Sequence, residues 1–71
     1  MKVEYELGVS GRTWGGFDAS YNYKITETQA QRILAGEDPT PIAGDFEYLT
    51  EWALMKITTQ IELETLMEKK S

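Results

Sequence analysis

The stretch WALMKITTQIEL, residues 52–63, decides the fold of this chain. As a helix it would give two helices on a lone hairpin, and as a strand it would complete a three-stranded sheet. In a strand, alternate side chains point to opposite faces, and here one alternate set is apolar except for Thr59. That apolar set comprises Ala53, Met55, Ile57, Ile61 and Leu63. A helix would gather Ala53 and Ile57 in one stripe but place Met55 on the opposite side and Leu63 on a flank. The pattern therefore favours a third strand at 53–63 with the apolar set in the core.

Two further alternating runs precede this stretch. Residues 2–9 and 17–25 both carry apolar side chains at odd positions, which is typical of half-buried strands. The segment SGRTWGG at 10–16 joins them and contains three glycines. We therefore predict a β-hairpin whose loop is longer than the tightest turns.

A helix is predicted at 27–35. Thr26 is a suitable N-cap, and Gln29 three residues later completes a capping box. The buried stripe would consist of Ala30, Ile33 and Leu34. Gly36 follows as a suitable residue just beyond the helix end.

The segment from 37 to 50 suggests a connector followed by a short helical turn. Pro39 and Pro41 disfavour regular structure in the connector. Asp45 could cap one helical turn at 46–50, in which Phe46 and Leu49 would face inward.

Together these elements predict a single α+β domain over 1–71 with the order ββααβ. Its three-stranded antiparallel sheet would have one helix and one short helical turn packed on one face. A right-handed crossover favours the strand order 2-1-3, and the order 1-2-3 stays open. Residues 64–71 would either prolong the third strand or fray.

Composition argues against catalysis. The 71 residues include no histidine and no cysteine, which removes the commonest general base and the soft metal ligands. We therefore expect no enzyme activity, no metal and no cofactor. The chain also has no membrane-spanning apolar run and no signal-peptide pattern, and lack of cysteine suits a reducing compartment. A cytoplasmic protein is the expectation.

The net charge of −5 arises entirely in residues 37–51, where five acidic residues meet no basic one. Such a segment attracts basic partners and repels nucleic acid. In the strand interpretation, Trp52 and Leu54 lie on the polar face beside it, although Trp52 could instead turn into the core. The predicted partner-binding residues are Glu37, Asp38, Asp45, Glu47, Tyr48, Glu51, Trp52 and Leu54.

The sequence therefore predicts a small acidic protein-binding module, an inhibitor or adaptor. By analogy with other small, acidic, cysteine-free proteins, the source could be a virus or a mobile element. In the sharper form of this prediction, the protein blocks a partner that binds nucleic acid. A plainer alternative is that the acidic residues only solvate a loop and cap a helix.

Two other functions stay open. The 11–17 loop could contact nucleic acid through Arg12, Trp14 and Phe17. The acidic balance argues against this, and the favoured alternative is a turn whose Trp14 packs onto the core. The chain could also be a structural subunit that forms a homodimer through an edge strand.

Overall fold

The protein folds as one antiparallel sheet with a helix against one of its faces. The structure, a computed structural model, describes residues 2–58 and 62–70. Its elements are strand β1 (Glu4–Thr13), strand β2 (Asp18–Ile25), helix α1 (Glu27–Leu34), strand β3 (Phe46–Ile57) and strand β4 (Leu63–Lys69). The strand order is β2-β1-β3-β4. The α+β class and the 2-1-3 order of the first three strands are confirmed, but the sheet has four strands instead of three.

The β1–β2 hairpin forms where the alternation predicts it, with a shorter loop. Strand β1 continues to Thr13, so Trp14 to Phe17 make the connection. The Thr13 N–H donates to the Phe17 carbonyl at 2.9 Å, and the Gly16 N–H donates to the Thr13 carbonyl at 2.9 Å. Gly16 has φ +87°, a conformation that glycine adopts at little cost. The loop is longer than the tightest turns, as predicted, but its predicted bounds of 10–16 were wrong, because residues 10–12 pair with β2 on one side and with β3 on the other.

Helix α1 is confirmed at its predicted start. The Gln29 N–H donates to Thr26 Oγ1 at 3.1 Å, and the Thr26 N–H donates to Gln29 Oε1 at 2.9 Å. Ala30 and Ile33 are buried, whereas Leu34, predicted to be buried with them, is exposed. Gly36, with φ +105°, follows the helix end as predicted.

The predicted helical turn at 46–50 is wrong, because these residues begin strand β3. Two β-bulges interrupt the pairing of β3 with β1, and each leaves one β3 residue, Glu47 or Thr50, without an opposite partner. The bulges therefore place Phe46, Leu49 and Trp52 opposite β1 residues of one face. This spacing of three imitates a helix, which explains why Phe46 and Leu49 face inward without being helical.

The face assignment for 53–63 is also wrong. Leu54 pairs with Leu7 and is 0% exposed, so it belongs to the face covered by α1. Ala53, Met55 and Ile57 are only partly buried on the opposite, open face. Leu63 is 62% exposed in β4, and Ile61 lies outside the described residues. The prediction failed because β3 ends at Ile57, so an alternation counted to residue 63 crosses into another strand.

The core lies between the covered face of the sheet and helix α1. Ala43 of the connector is also part of this core. The buried hydrophobic residues are Leu7, Val9, Ala30, Ile33, Ala43, Phe46 and Leu54. Strand β4 accounts for the tail at 64–71 as far as Lys69, and its Leu66 and Met67 pack against the core.

Candidate protein-binding surface

The predicted partner-binding residues do not form one surface. Leu54, expected to be exposed, is in the core, and Trp52 packs against the core from the covered face. Glu51 lies on the open face opposite Ser10. The expected apolar patch of Trp52 and Leu54 beside the acidic segment is therefore absent, because the register with β1 turns both side chains inward.

Glu37 and Asp38 are engaged by their own neighbours after α1. Arg32 Nε donates to Glu37 Oε2 at 2.6 Å. The Thr40 N–H and hydroxyl donate to Asp38 Oδ1 at 2.9 and 2.7 Å. These hydrogen bonds, with that from the Thr40 backbone the largest cause, lower the pKa of Asp38 below its usual value. Both carboxylates thus stabilise the chain where it leaves the helix.

Three other predicted residues, Asp45, Glu47 and Tyr48, lie at the end of the sheet where the β1–β2 hairpin turns, because β3 begins there. The Trp14 N–H donates to the Asp45 carbonyl at 3.2 Å, and Tyr48 pairs with Arg12. Two separate predictions, the acidic segment and the 11–17 loop, therefore fall on neighbouring parts of the fold. We name this group the sheet-end cluster, which comprises Trp14, Phe17, Asp45, Glu47 and Tyr48.

The aromatic side chains of the sheet-end cluster are open to solvent. Trp14 is 68% exposed, Phe17 is 59% exposed and Tyr48 is 49% exposed. The expectation that Trp14 packs onto the core is wrong, because Trp14 lies in the turn beyond the last paired residue of β1. The Phe17 ring instead lies over Gly15, where an added Cβ would come within 2.7 Å of Phe17 Cε1. Three exposed aromatic side chains at one end of the sheet are therefore candidates for contact with a partner.

The charge of the sheet-end cluster is negative. Asp45 and Glu47 are exposed, and neither forms an ion pair with any other described residue. The neighbouring cation, Arg12, is already held by two acceptors, with its Nε 3.1 Å from Asp18 Oδ1 and its Nη1 3.3 Å from the Gly16 carbonyl. The cluster therefore combines exposed aromatic side chains with two carboxylates that form no ion pair with another described residue.

A hydrogen bond from β2 fixes Asp45 in place. The Tyr23 hydroxyl donates to Asp45 Oδ2 at 2.7 Å. Burial of the ring, followed by this hydrogen bond, raises the pKa of Tyr23 to about 12. The protonated phenol thus links the hairpin to the segment that starts β3.

The Tyr23 hydroxyl should make the free energy of unfolding depend on pH in the alkaline range. A phenol whose folded pKa is raised stabilises the fold fully below its unfolded pKa of 10.0, and that contribution is lost as pH rises towards about 12. Urea unfolding from pH 8 to 12 should show this loss in the native protein but not in Tyr23→Phe. At pH 8, Tyr23→Phe should lower the free energy of unfolding by about 1 kcal/mol, because it removes this hydrogen bond.

The matched control is Tyr48→Phe, which removes an exposed hydroxyl that makes no hydrogen bond to another described residue. Its alkaline profile should follow that of the native protein. If Tyr23→Phe kept the same loss between pH 10 and 12, other groups would be responsible for it.

The described part of the chain offers little else for chemistry. Within 2–58 and 62–70, no three acidic side chains gather in a way that could hold a metal ion. In the same residues, helix α1 is not long and apolar enough to cross a bilayer. No protein-family model, curated protein or solved structure matches the chain. Function must therefore be argued from its surfaces.

Proposed function

We propose that this protein is a small acidic module that binds a partner protein through the sheet-end cluster, as an inhibitor or adaptor. The observation that carries the proposal is that exposed Trp14, Phe17 and Tyr48 lie at the same end of the sheet as Asp45 and Glu47, whose carboxylates form no ion pair with another described residue. Protein interfaces combine aromatic anchors with a polar rim in this way. The fold supplies rigidity, because two strands and a hairpin turn position the cluster.

The proposed partner has a basic surface. With a net charge of −5 and the carboxylates of Asp45 and Glu47 at the cluster, the protein would meet a positive surface at an increased association rate. A protein that binds nucleic acid presents such a surface, so a blocking role is the sharper form of the proposal. The absence of cysteine suits a reducing cytoplasm as the place of action.

Direct binding of nucleic acid by the hairpin loop has less support. Trp14 and Phe17 are exposed and could stack on bases. The Arg12 guanidinium, however, is already bound to Asp18 and Gly16, and Asp45 lies beside Trp14. The phosphates of a nucleic acid would therefore be repelled by carboxylates at the loop, and Arg12 would not be available to attract them.

Removal of either aromatic anchor should weaken partner binding. The partner is first isolated by affinity capture from the protein's native cells, and its dissociation constant is then measured by calorimetry. Trp14→Ala and Tyr48→Ala should each weaken binding by about 30-fold, as expected for the loss of a central aromatic anchor. Glu47→Gln should reduce the salt dependence of the affinity, because it removes one charge from the rim.

Leu63→Ala is the matched control, since Leu63 is an equally exposed apolar residue but lies in β4. It should leave the dissociation constant unchanged. Equal binding by all these variants would contradict the proposal. A labelled single-stranded oligonucleotide bound at low salt, and released by Trp14→Ala, would replace it with the nucleic-acid function.

A further inference from the structure

The outer edge of β2 is an unprotected strand edge. Proteins usually guard such edges with charges, proline or bulges. The middle of β2, residues 19–23, has none of these and reads ASYNY. The opposite edge, β4, carries Glu64, Glu68 and Lys69 and has a bulge in its pairing with β3. The two edges of the sheet are therefore not equivalent.

The hydrogen-bond pattern identifies which β2 residues have free backbone groups. Thr13 and Phe17 form a hydrogen-bonded pair at the hairpin end. In an antiparallel ladder such pairs alternate, so the odd residues of β2 bond to β1 and the even residues direct their N–H and C=O groups outward. The outward residues are Asp18, Ser20, Asn22 and Lys24. Their backbone groups make no hydrogen bond on the outer side to any described residue.

We propose that a second copy of the chain pairs with this edge, β2 antiparallel to β2, about a two-fold axis that passes beside Tyr21. Asp18 then faces Lys24 of the second copy, and because its side chain is 84% exposed it can meet that lysine while it also accepts from Arg12 Nε at 3.1 Å. The same pair recurs at the other end by symmetry. Between them Ser20 faces Asn22 of the second copy. In this register, residues whose backbone N–H and C=O groups point outward face the same kind of residue in the second copy. A continuous antiparallel ladder of hydrogen bonds requires this arrangement.

The charges select this register. A two-fold axis perpendicular to the sheet keeps the open face of both copies on one side, so only shifts of two residues compete. A shift in one direction would place Lys24 opposite Ser20, and in the other direction Asp18 opposite Asn22. Only the proposed register pairs opposite charges at both ends of the strand.

Tyr21 lies at the centre of the proposed interface. It is exposed although its ring contacts Phe46 on the covered face, with ring centroids 5.2 Å apart. In the proposed dimer it meets Tyr21 of the second copy in a close, non-hydrogen-bonded pair. Aromatic cross-strand pairs of this kind stabilise sheets.

The dimer would form one sheet of eight strands with both helices on the same side. Because the two β2 strands run in opposite directions, the two sheet-end clusters would lie at opposite ends of that sheet. Dimer formation depends on β2 alone and does not rest on the proposed partner binding.

Sedimentation equilibrium of the whole chain, at micromolar to hundreds of micromolar concentration, tests the charge pairs. The native chain should dimerise, and Lys24→Glu should raise the dimer dissociation constant about tenfold or more, because two attractive pairs become repulsive. Adding Asp18→Arg to Lys24→Glu should restore dimerisation. Lys69→Glu makes the same charge change at the β4 edge and should have no effect.

A cross-link tests the register. The chain has no cysteine, so Tyr21→Cys introduces a single thiol that would lie directly opposite its copy. Mild oxidation should link this variant into a covalent dimer. Ala19→Cys should not cross-link, because residue 19 faces residue 23 of the second copy.

Circular dichroism first establishes that each variant is folded. A native chain that stays monomeric throughout, or a dimer unaffected by Lys24→Glu, would overturn the proposal. So would a dimer that Lys69→Glu abolishes, or a cross-link through Ala19→Cys in place of Tyr21→Cys.

Discussion

Leu54→Ala is expected to lower the free energy of unfolding by about 2–5 kcal/mol, as for other buried leucines. Leu54 is 0% exposed and lies opposite Leu7 in the centre of the covered face, so its removal leaves a cavity that neighbouring strands cannot close. A chain of 71 residues has a total stability of only several kcal/mol. Urea unfolding followed by circular dichroism measures the loss, and Leu54→Val provides a milder variant that should stay folded.

The control for Leu54 is Leu63→Ala, which removes the same atoms from a residue that is 62% exposed. Its effect should stay within about 0.5 kcal/mol. If Leu63→Ala were the more damaging change, the faces of β3 and β4 would be the reverse of those described, and the sequence-based core of 53–63 would be restored.

Gly11→Ala is expected to destabilise the fold by on the order of 3 kcal/mol, although it adds a single methyl group. A Cβ at this position would lie 2.2 Å from the Tyr48 carbonyl oxygen and 2.8 Å from the Leu49 Cα. These are backbone atoms of β3 at its bulges, so they cannot move without opening the β1–β3 pairing. Urea unfolding gives the free energy, and amide exchange along β1 should rise near residue 11.

Gly44→Ala is the matched control, because an added Cβ there has no neighbour within 4 Å and the residue does not have positive φ. Its effect should stay within about 1 kcal/mol and can be stabilising. A native-like stability of Gly11→Ala would show that β3 does not cross β1 as closely as described.

The parts of the fold that the sequence predicts correctly are those whose signals lie close together along the chain. The hairpin follows from alternation on both sides of a glycine-containing loop, and α1 follows from Thr26, Gln29 and Gly36. Strand β3 could not be predicted in the same way, because its two bulges change the spacing of inward residues from two to three. Four consecutive apolar residues, WALM at 52–55, also leave its two faces nearly equal in hydrophobicity.

The candidate site was predicted in fragments. Arg12, Trp14 and Phe17 belonged to one hypothesis and Asp45, Glu47 and Tyr48 to another, because some thirty residues separate them in sequence. Only the pairing of β1 with β3 brings them together. Gly11, which the sequence places in the joining segment, lies inside β1, where a glycine marks the close approach of another backbone.

The strand order has a consequence for how the chain reaches its native state. The β1–β2 and β3–β4 pairings close short segments of chain, whereas β1–β3 joins residues about 30 to 50 positions apart. Closing so long a segment costs more entropy before any contact compensates for it, so we expect this pairing to be the slowest step of folding. Each hairpin is until then only half of a sheet, with the apolar side chains of Leu7 and Leu54 still in water.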